Sequence, residues 1–257
     1  MKHKLNKFME RRLVISEIDG DTSFHNVSLK VSTIGIIGVS RVSGMRILNE
    51  IQNTFFNHSQ IKKIFELENN GLRIKPIQKK VLDDAVRGFS KDIQCMAYAY
   101  YLAINGAEAH YVDMTFTYET LNSLSISELG LAAGTKGKYA DDNYGGGVNT
   151  SYGMGTLSVV ILDSKADIGD FTYSPNGVDY PRRSMPAELL AHEMLGHGYG
   201  RVKRSISYGH ADAVQMSNLY WRTRGYINFY RNGSWHGTQV RLNSSQANSI
   251  PNHFIYR

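Results

Sequence analysis

Hydrophobic and polar positions along the chain change their spacing several times, and each change marks an element. Residues 1–24 are polar and charged and read as an N-terminal arm, so one globular domain is expected over 25–257. Between Val42 and Ile51 the apolar residues recur at helical spacing, with Ser43 as the expected N-cap. Ile61–Leu67 alternates like a strand, and Asn69-Asn70-Gly71 is a turn signal. Val81–Ala103 reads as helical. From Gly106 to Tyr118 the period drops to two, with Val112, Met114, Phe116 and Tyr118 on one side of an extended segment. Asp141–Gly155 carries Gly145-Gly146-Gly147 and two further glycines and reads as the loosest stretch. Thr156–Leu162 follows it as the clearest strand, and Lys165–Pro186 reads as a loop. Pro186 then opens a helix at a position where its missing N–H costs nothing, with Glu188 favoured by the first-turn dipole. No internal repeat interrupts this order, and a single α+β domain is expected.

Composition narrows the function classes. With 257 residues, 42% of them hydrophobic, the chain can bury a core without disulfides. Its one cysteine, Cys95, excludes a disulfide framework and a cysteine zinc cage, and it lies in an apolar run where a buried, inert thiol is expected. No window approaches the roughly 20 apolar residues of a membrane-spanning helix, so no membrane insertion is expected. The basic start, Met1 to Lys7, is followed by Glu10-Arg11-Arg12 rather than an apolar run. A cleaved signal peptide is therefore not expected. The net charge of +6 comes from scattered lysines and arginines with no basic stripe, which argues against a specific nucleic-acid site.

The densest chemistry lies in Ala191-His192-Glu193-Met194-Leu195-Gly196-His197-Gly198-Tyr199-Gly200. Two imidazoles on one helix with an adjacent carboxylate can hold a zinc ion, Zn2+, and its general base. The spacing is unusual, because the histidines are five apart rather than four. On a regular α-helix that places them about 140° apart in rotation. They can share an ion only if the helix widens between them, as a π-type turn would do. Gly196 is placed to tolerate that distortion, and Gly198 and Gly200 suggest that the helix ends there. Glu193 cannot easily ligate the same ion from the position beside His192, so it is the expected general base. The second helix, opening near Tyr208-Gly209-His210-Ala211-Asp212, offers an imidazole and a carboxylate as third ligand. Tyr208 and Tyr199 are candidate oxyanion stabilisers. His236 and His253 read as ordinary surface or tail residues. Gly145–Gly147 lacks the Lys-Ser/Thr of a phosphate loop and reads as a flexible rim of the site.

Asp212-Ala213-Val214, Asn218 and Gly225 keep the order and spacing of the segment that follows the metal helix in the NleD-like bacterial effector metalloproteases, which the chain resembles at scattered points over residues 27–225. Val42 to Leu48 is similar to a short early helix of those proteins, and Thr156–Leu162 to their strand before the metal helix. That family has HExxH. The five-residue spacing is instead similar to the motif of dipeptidyl peptidase III, whose second Glu-Glu motif is missing here. The resemblance implies an α+β, zincin-like domain in which an edge strand precedes the metal helix. It implies a secreted or injected zinc protease, made in a bacterial cytoplasm, that acts on a target-cell protein. It also implies His192, His197 and Asp212 as ligands, with His210 the rival for the third place. A secretion chaperone or an immunity protein would be further partners. A zinc amidase acting on peptidoglycan stem peptides, and a non-catalytic binding protein with a degenerate motif, are the alternatives.

Overall fold

The computed structural model describes residues 34–117, 120–128, 146–162, 167–168, 171–173, 178–179, 182–204, 210–227, 229–234 and 241–257. The arm expected over 1–24, Tyr208 and His236 lie outside them. Ser32–Arg257 forms one compact unit.

Its centre is a mixed four-stranded sheet in the order β1 (Gly35–Gly38), β2 (Ala109–Thr115), β4 (Gly155–Ile161), β3 (Gly147–Tyr152). The first three are parallel and β3 is antiparallel at the edge. Between β1 and β2 the chain forms helices α1 (Arg41–Thr54), α2 (Ser59–Lys62), α3 (Lys79–Val86) and α4 (Lys91–Asn105). A short helix, α5 (Ser123–Glu128), follows β2. After β4 come the short strands β5 (Asp167–Ile168), β6 (Phe171–Tyr173), β7 (Val178–Asp179) and β8 (Arg182–Arg183). A continuous helix over 186–204, α6, is followed by α7 (His210–Thr223), β9 (Phe229–Arg231) and α8 (Ser244–Ala247).

One apolar core carries the helices. Val112, Met114 and Val160 pack with Ile47 and Ile51 of α1, Tyr100 of α4, Leu190 and Met194 of α6, and Trp221 of α7. Neighbouring residues on β4, Val159 and Ile161, face the other way by the pleat and form a smaller cluster with Leu121.

Several expectations are corrected at this level. Ser40, not Ser43, caps α1, because its hydroxyl reaches the Ser43 N–H at 3.1 Å. Ser43 instead faces inward and donates to the buried Asp113 at 3.3 Å. The alternation at Ile61–Leu67 yields the one-turn α2 and a single bridge from Leu67 to Ile74, not a strand. Val81–Ala103 is two helices, broken where Gly88 takes φ +83°. Thr156–Leu162 is an inner strand rather than the edge. The glycine-rich stretch before it supplies the edge strand β3, joined to β4 by a two-residue hairpin loop with Gly153 at φ +55°. The segment read as a loop over 165–186 contains β5 to β8.

Candidate metal centre and its surroundings

The site is built on α6. The helix starts as an α-helix at Pro186–Leu190, becomes a π-helix over Ala191–Tyr199, and returns to α over Gly200–Arg204. The widening required by the five-residue spacing is present, and it spans both histidines. Their ring centres stand 5.0 Å apart. The helix does not end at Gly198 or Gly200, as the glycines suggested, but runs on to Arg204.

Close packing explains those glycines better than helix termination. A Cβ on Gly196 would lie 2.3 Å from the Ala213 Cα, so this glycine lets α6 and α7 cross backbone to backbone. A Cβ on Gly198 would meet the Thr156 hydroxyl at 2.9 Å and the Asn149 amide at 3.1 Å, which brings α6 down on β3 and β4. A Cβ on Gly200 would lie 3.3 Å from an Asp212 carboxylate oxygen.

The crossing at Gly196 also places the first turn of α7 beside the motif. His210 has its ring centre 5.0 Å from that of His197. Two imidazoles on a tetrahedral zinc, each nitrogen about 2.0–2.1 Å from the ion, place their ring centres roughly 5 Å apart. The His192–His197 and His197–His210 ring separations each match that value. Among the described residues no group of three or more His, Cys, Asp or Glu is already gathered as a metal cage. Burial lowers the His210 pKa and favours the neutral imidazole a metal needs.

Asp212 lies two residues further along α7, buried against Gly200 and 3.9 Å from His253 Nε2. His253 is not an ordinary tail residue. Its ring stacks on Tyr199 with centres 5.5 Å apart, and Tyr199 in turn stands 5.9 Å from the buried His110. Tyr199, read as an oxyanion candidate, is thus packed within an aromatic stack that also includes Phe254 at 5.0 Å.

Glu193 is buried beside the first residue of the edge strand. A Cβ on Gly147 would lie 2.8 Å from Glu193 Cγ and 3.2 Å from Oε1. Gly147 is therefore the floor of the carboxylate's pocket rather than a flexible rim. Burial pushes the Glu193 pKa up to about 8, against the opposing pull of Arg231 and Arg201. A carboxyl poised near neutrality suits a group that takes and returns a proton.

The edge strand itself is partly covered. Ile161 N–H donates to the Gly146 carbonyl at 2.8 Å, so the antiparallel alternation turns the N–H and C=O of residues 147, 149 and 151 away from β4. Arg201 on α6 takes one of these, donating to the Asn149 backbone carbonyl at 3.3 Å and to its side-chain oxygen at 3.1 Å.

Sequence reasoning missed a buried polar network behind His192. Ser217 of α7 has its hydroxyl 2.9 Å from His192 Nδ1. Arg231 of β9 places one guanidinium nitrogen 3.2 Å from the Ser217 hydroxyl, 3.2 Å from His192 Nδ1 and 3.3 Å from Glu188. Glu188 is fully buried in this ion pair, and its role goes well beyond the first-turn dipole. Asn218 sets the position of Arg231. Its side chain accepts the Arg231 N–H at 2.6 Å and donates to the Arg231 carbonyl at 2.9 Å and to the Ala247 carbonyl at 2.8 Å. In the sequence Asn218 stood out only through the resemblance, which gave no sign of this role.

No family model, curated protein or solved structure matches this chain. No helix among the described residues is long and apolar enough to cross a membrane.

Proposed function

We propose that the protein is a zinc-dependent, zincin-like metallopeptidase that hydrolyses a peptide bond, with His192, His197 and His210 as ligands and Glu193 as general base. The observation that carries the reading is the π-helix at Ala191–Tyr199, which sets the two motif imidazoles 5.0 Å apart where a regular α-helix would splay them. His210 takes the third place over Asp212 because its ring stands 5.0 Å from His197. Asp212 is instead drawn toward Gly200 and His253.

The donor set of neutral imidazoles fits zinc. When bound, zinc supplies Lewis acidity to a substrate carbonyl and to a water molecule. Glu193 would take a proton from the attacking water on its carboxylate and return it to the leaving amine. An extended peptide would lie along the outward edge of β3, pairing with backbone groups beside Gly147 and so presenting its carbonyl next to Glu193. A protein of a cell into which the enzyme is secreted or injected is the proposed substrate. This part rests on the resemblance to the NleD-like proteases.

Metal analysis tests the reading directly. About one zinc per chain is expected, falling when His192, His197 or His210 becomes Ala. Glu193→Gln is expected to keep the zinc and lose activity on a protein or peptide library by about 10²–10⁴-fold. Folded wild-type protein that takes up no zinc would exclude the enzyme. Turnover of purified peptidoglycan but not of peptides would replace the protease with an amidase.

A further inference from the structure

We infer that Arg201 is a specificity-determining residue that takes a substrate carboxylate two residues from the scissile position. The inference deepens the metallopeptidase reading and rests on it for the placement of the scissile bond.

Register along the edge strand sets the position. Gly147 lies against Glu193, and Asn149 is two residues further along β3 on the same face of the sheet. At the rise of an antiparallel strand the two are roughly 7 Å apart. A peptide paired with the outward edge of β3 would set one residue opposite Gly147, beside the general base, and another opposite Asn149. Residues opposite one another in a ladder share a face, so the second side chain would point to the α6 side of the sheet. Arg201 lies on that side. It follows His197 on α6 and bonds to Asn149, so one helix carries both the metal motif and this cation.

The guanidinium is held in place but not neutralised. Its Nε donates to the Asn149 side-chain oxygen at 3.1 Å, and Nη2 donates to the Asn149 backbone carbonyl at 3.3 Å. Asn149 is itself fixed, since its amide donates to Ser158 Oγ of β4 at 2.9 Å and packs against Gly198 of α6. Both acceptors on Asn149 are uncharged, and among the described residues no carboxylate lies within ion-pair distance of Arg201. A guanidinium carries five N–H groups. The two used here lie on its Nε–Nη2 side, so Nη1 and the second Nη2 hydrogen remain as an end-on fork, which a carboxylate accepts with both oxygens. The charge also reaches the site, because it opposes the rise of the Glu193 pKa and adds to the fall of that of His210. A cation already held in one geometry has less freedom to lose on binding than a mobile side chain.

The test measures peptide binding and cleavage with the full chain. Fluorescent alanine–valine peptides with amidated C-termini carry Glu or Gln at one position, moved stepwise along the peptide. Anisotropy with the Glu193→Gln protein in the presence of zinc should give a Kd about 10-fold lower for Glu than for Gln at one position, the size of a charge-assisted hydrogen bond. Mass spectrometry of wild-type products should place that position two residues from the cleaved bond. Gln peptides shortened to end there, as free acid and as amide, separate a chain-end carboxylate from a side-chain one. Adding Arg201→Ala should bring the ratio near one, while Arg201→Lys, which keeps the charge but not the fork, should retain a smaller preference. Equal binding of every acidic peptide and its neutral partner, or a preference that survives in folded Arg201→Ala, overturns the inference and leaves the peptidase standing if cleavage persists. An Arg201-dependent preference without zinc uptake or cleavage would sink the metallopeptidase reading and leave the carboxylate site standing.

Discussion

Single residues in this protein are chosen for how closely two backbones must approach. Gly196 illustrates the point, because no side chain fits between α6 and Ala213 of α7. Gly196→Ala should force that crossing apart at a cost of about 1–3 kcal/mol, or roughly 2–10 °C in thermal midpoint for a chain of this size. Calorimetry of the purified variant checks it, and an unchanged midpoint would mean the helices part freely at that point. The glycine was legible as a tolerance for helix distortion, and its partner was not. Sequence patterns show that a side chain is missing but not what occupies its place. The same holds for Gly147, which read as part of a flexible rim and instead lies against the Glu193 side chain. Cys95 shows the opposite case. An apolar run predicts a buried thiol, and the cysteine is fully buried with its pKa raised by that burial.

Elements are decided by spacing when one local period rules and by tertiary contact when two compete. The five-residue interval lets His192 and His197 share an ion only across a widened turn, and the helix is a π-helix there. Its full extent over nine residues was not legible, because it depends on Gly196 meeting α7 and Gly198 meeting β3 and β4. The edge strand was misplaced for a related reason. Thr156–Leu162 has the stronger β pattern because it is buried between β2 and β3, whereas an edge strand with polar and glycine residues looks like a loop. Arg201 gives that edge a specific property by holding the Asn149 carbonyl. Arg201→Ala should free it for a peptide backbone and lower KM for extended substrates by several-fold, roughly the 0.5–1.5 kcal/mol of one hydrogen bond, with kcat little changed. Kinetics on peptides of graded length test this, and no change at any length would show that substrate does not run along β3.

At the scale of the whole molecule, the metal proposed above would sit where two helices, α6 and α7, cross, rather than on a self-contained loop. Zinc there would cross-link them, and saturation at about 1,000 times Kd would add about 4 kcal/mol to stability. Chelation should therefore lower the thermal midpoint and speed amide exchange in 191–199 and 210–223, while β1, β2 and α1 keep their protection. Hydrogen exchange with and without chelator reads this directly, and uniform loosening of the fold would argue against a metal at that crossing. The C-terminal segment belongs to the same assembly. Phe254 is fully buried, His253 stacks on Tyr199, and the Tyr256 N–H reaches the Cys95 sulfur at 3.4 Å. Phe254→Ala should cost about 3–5 kcal/mol, since it empties a site between the tail and the main core. Denaturant unfolding measures it, and a loss below about 1 kcal/mol would show that the tail is only loosely docked.

By itself the sequence determined a mixed α/β chain, a helix opened by Pro186, a motif whose histidines could share an ion only across a widened turn, and a buried single thiol. Each follows from local spacing or from one residue's own chemistry, which a linear chain carries within a few positions. Tertiary structure alone decided that β3 rather than β4 is the edge, that His210 stands beside His197, and that Asp212 faces Gly200 and His253. It also assembled Glu188, Ser217 and Arg231 behind His192. These residues lie up to 43 positions apart, and only the crossing of α6 with α7, and the docking of β9 by Asn218, brings them together.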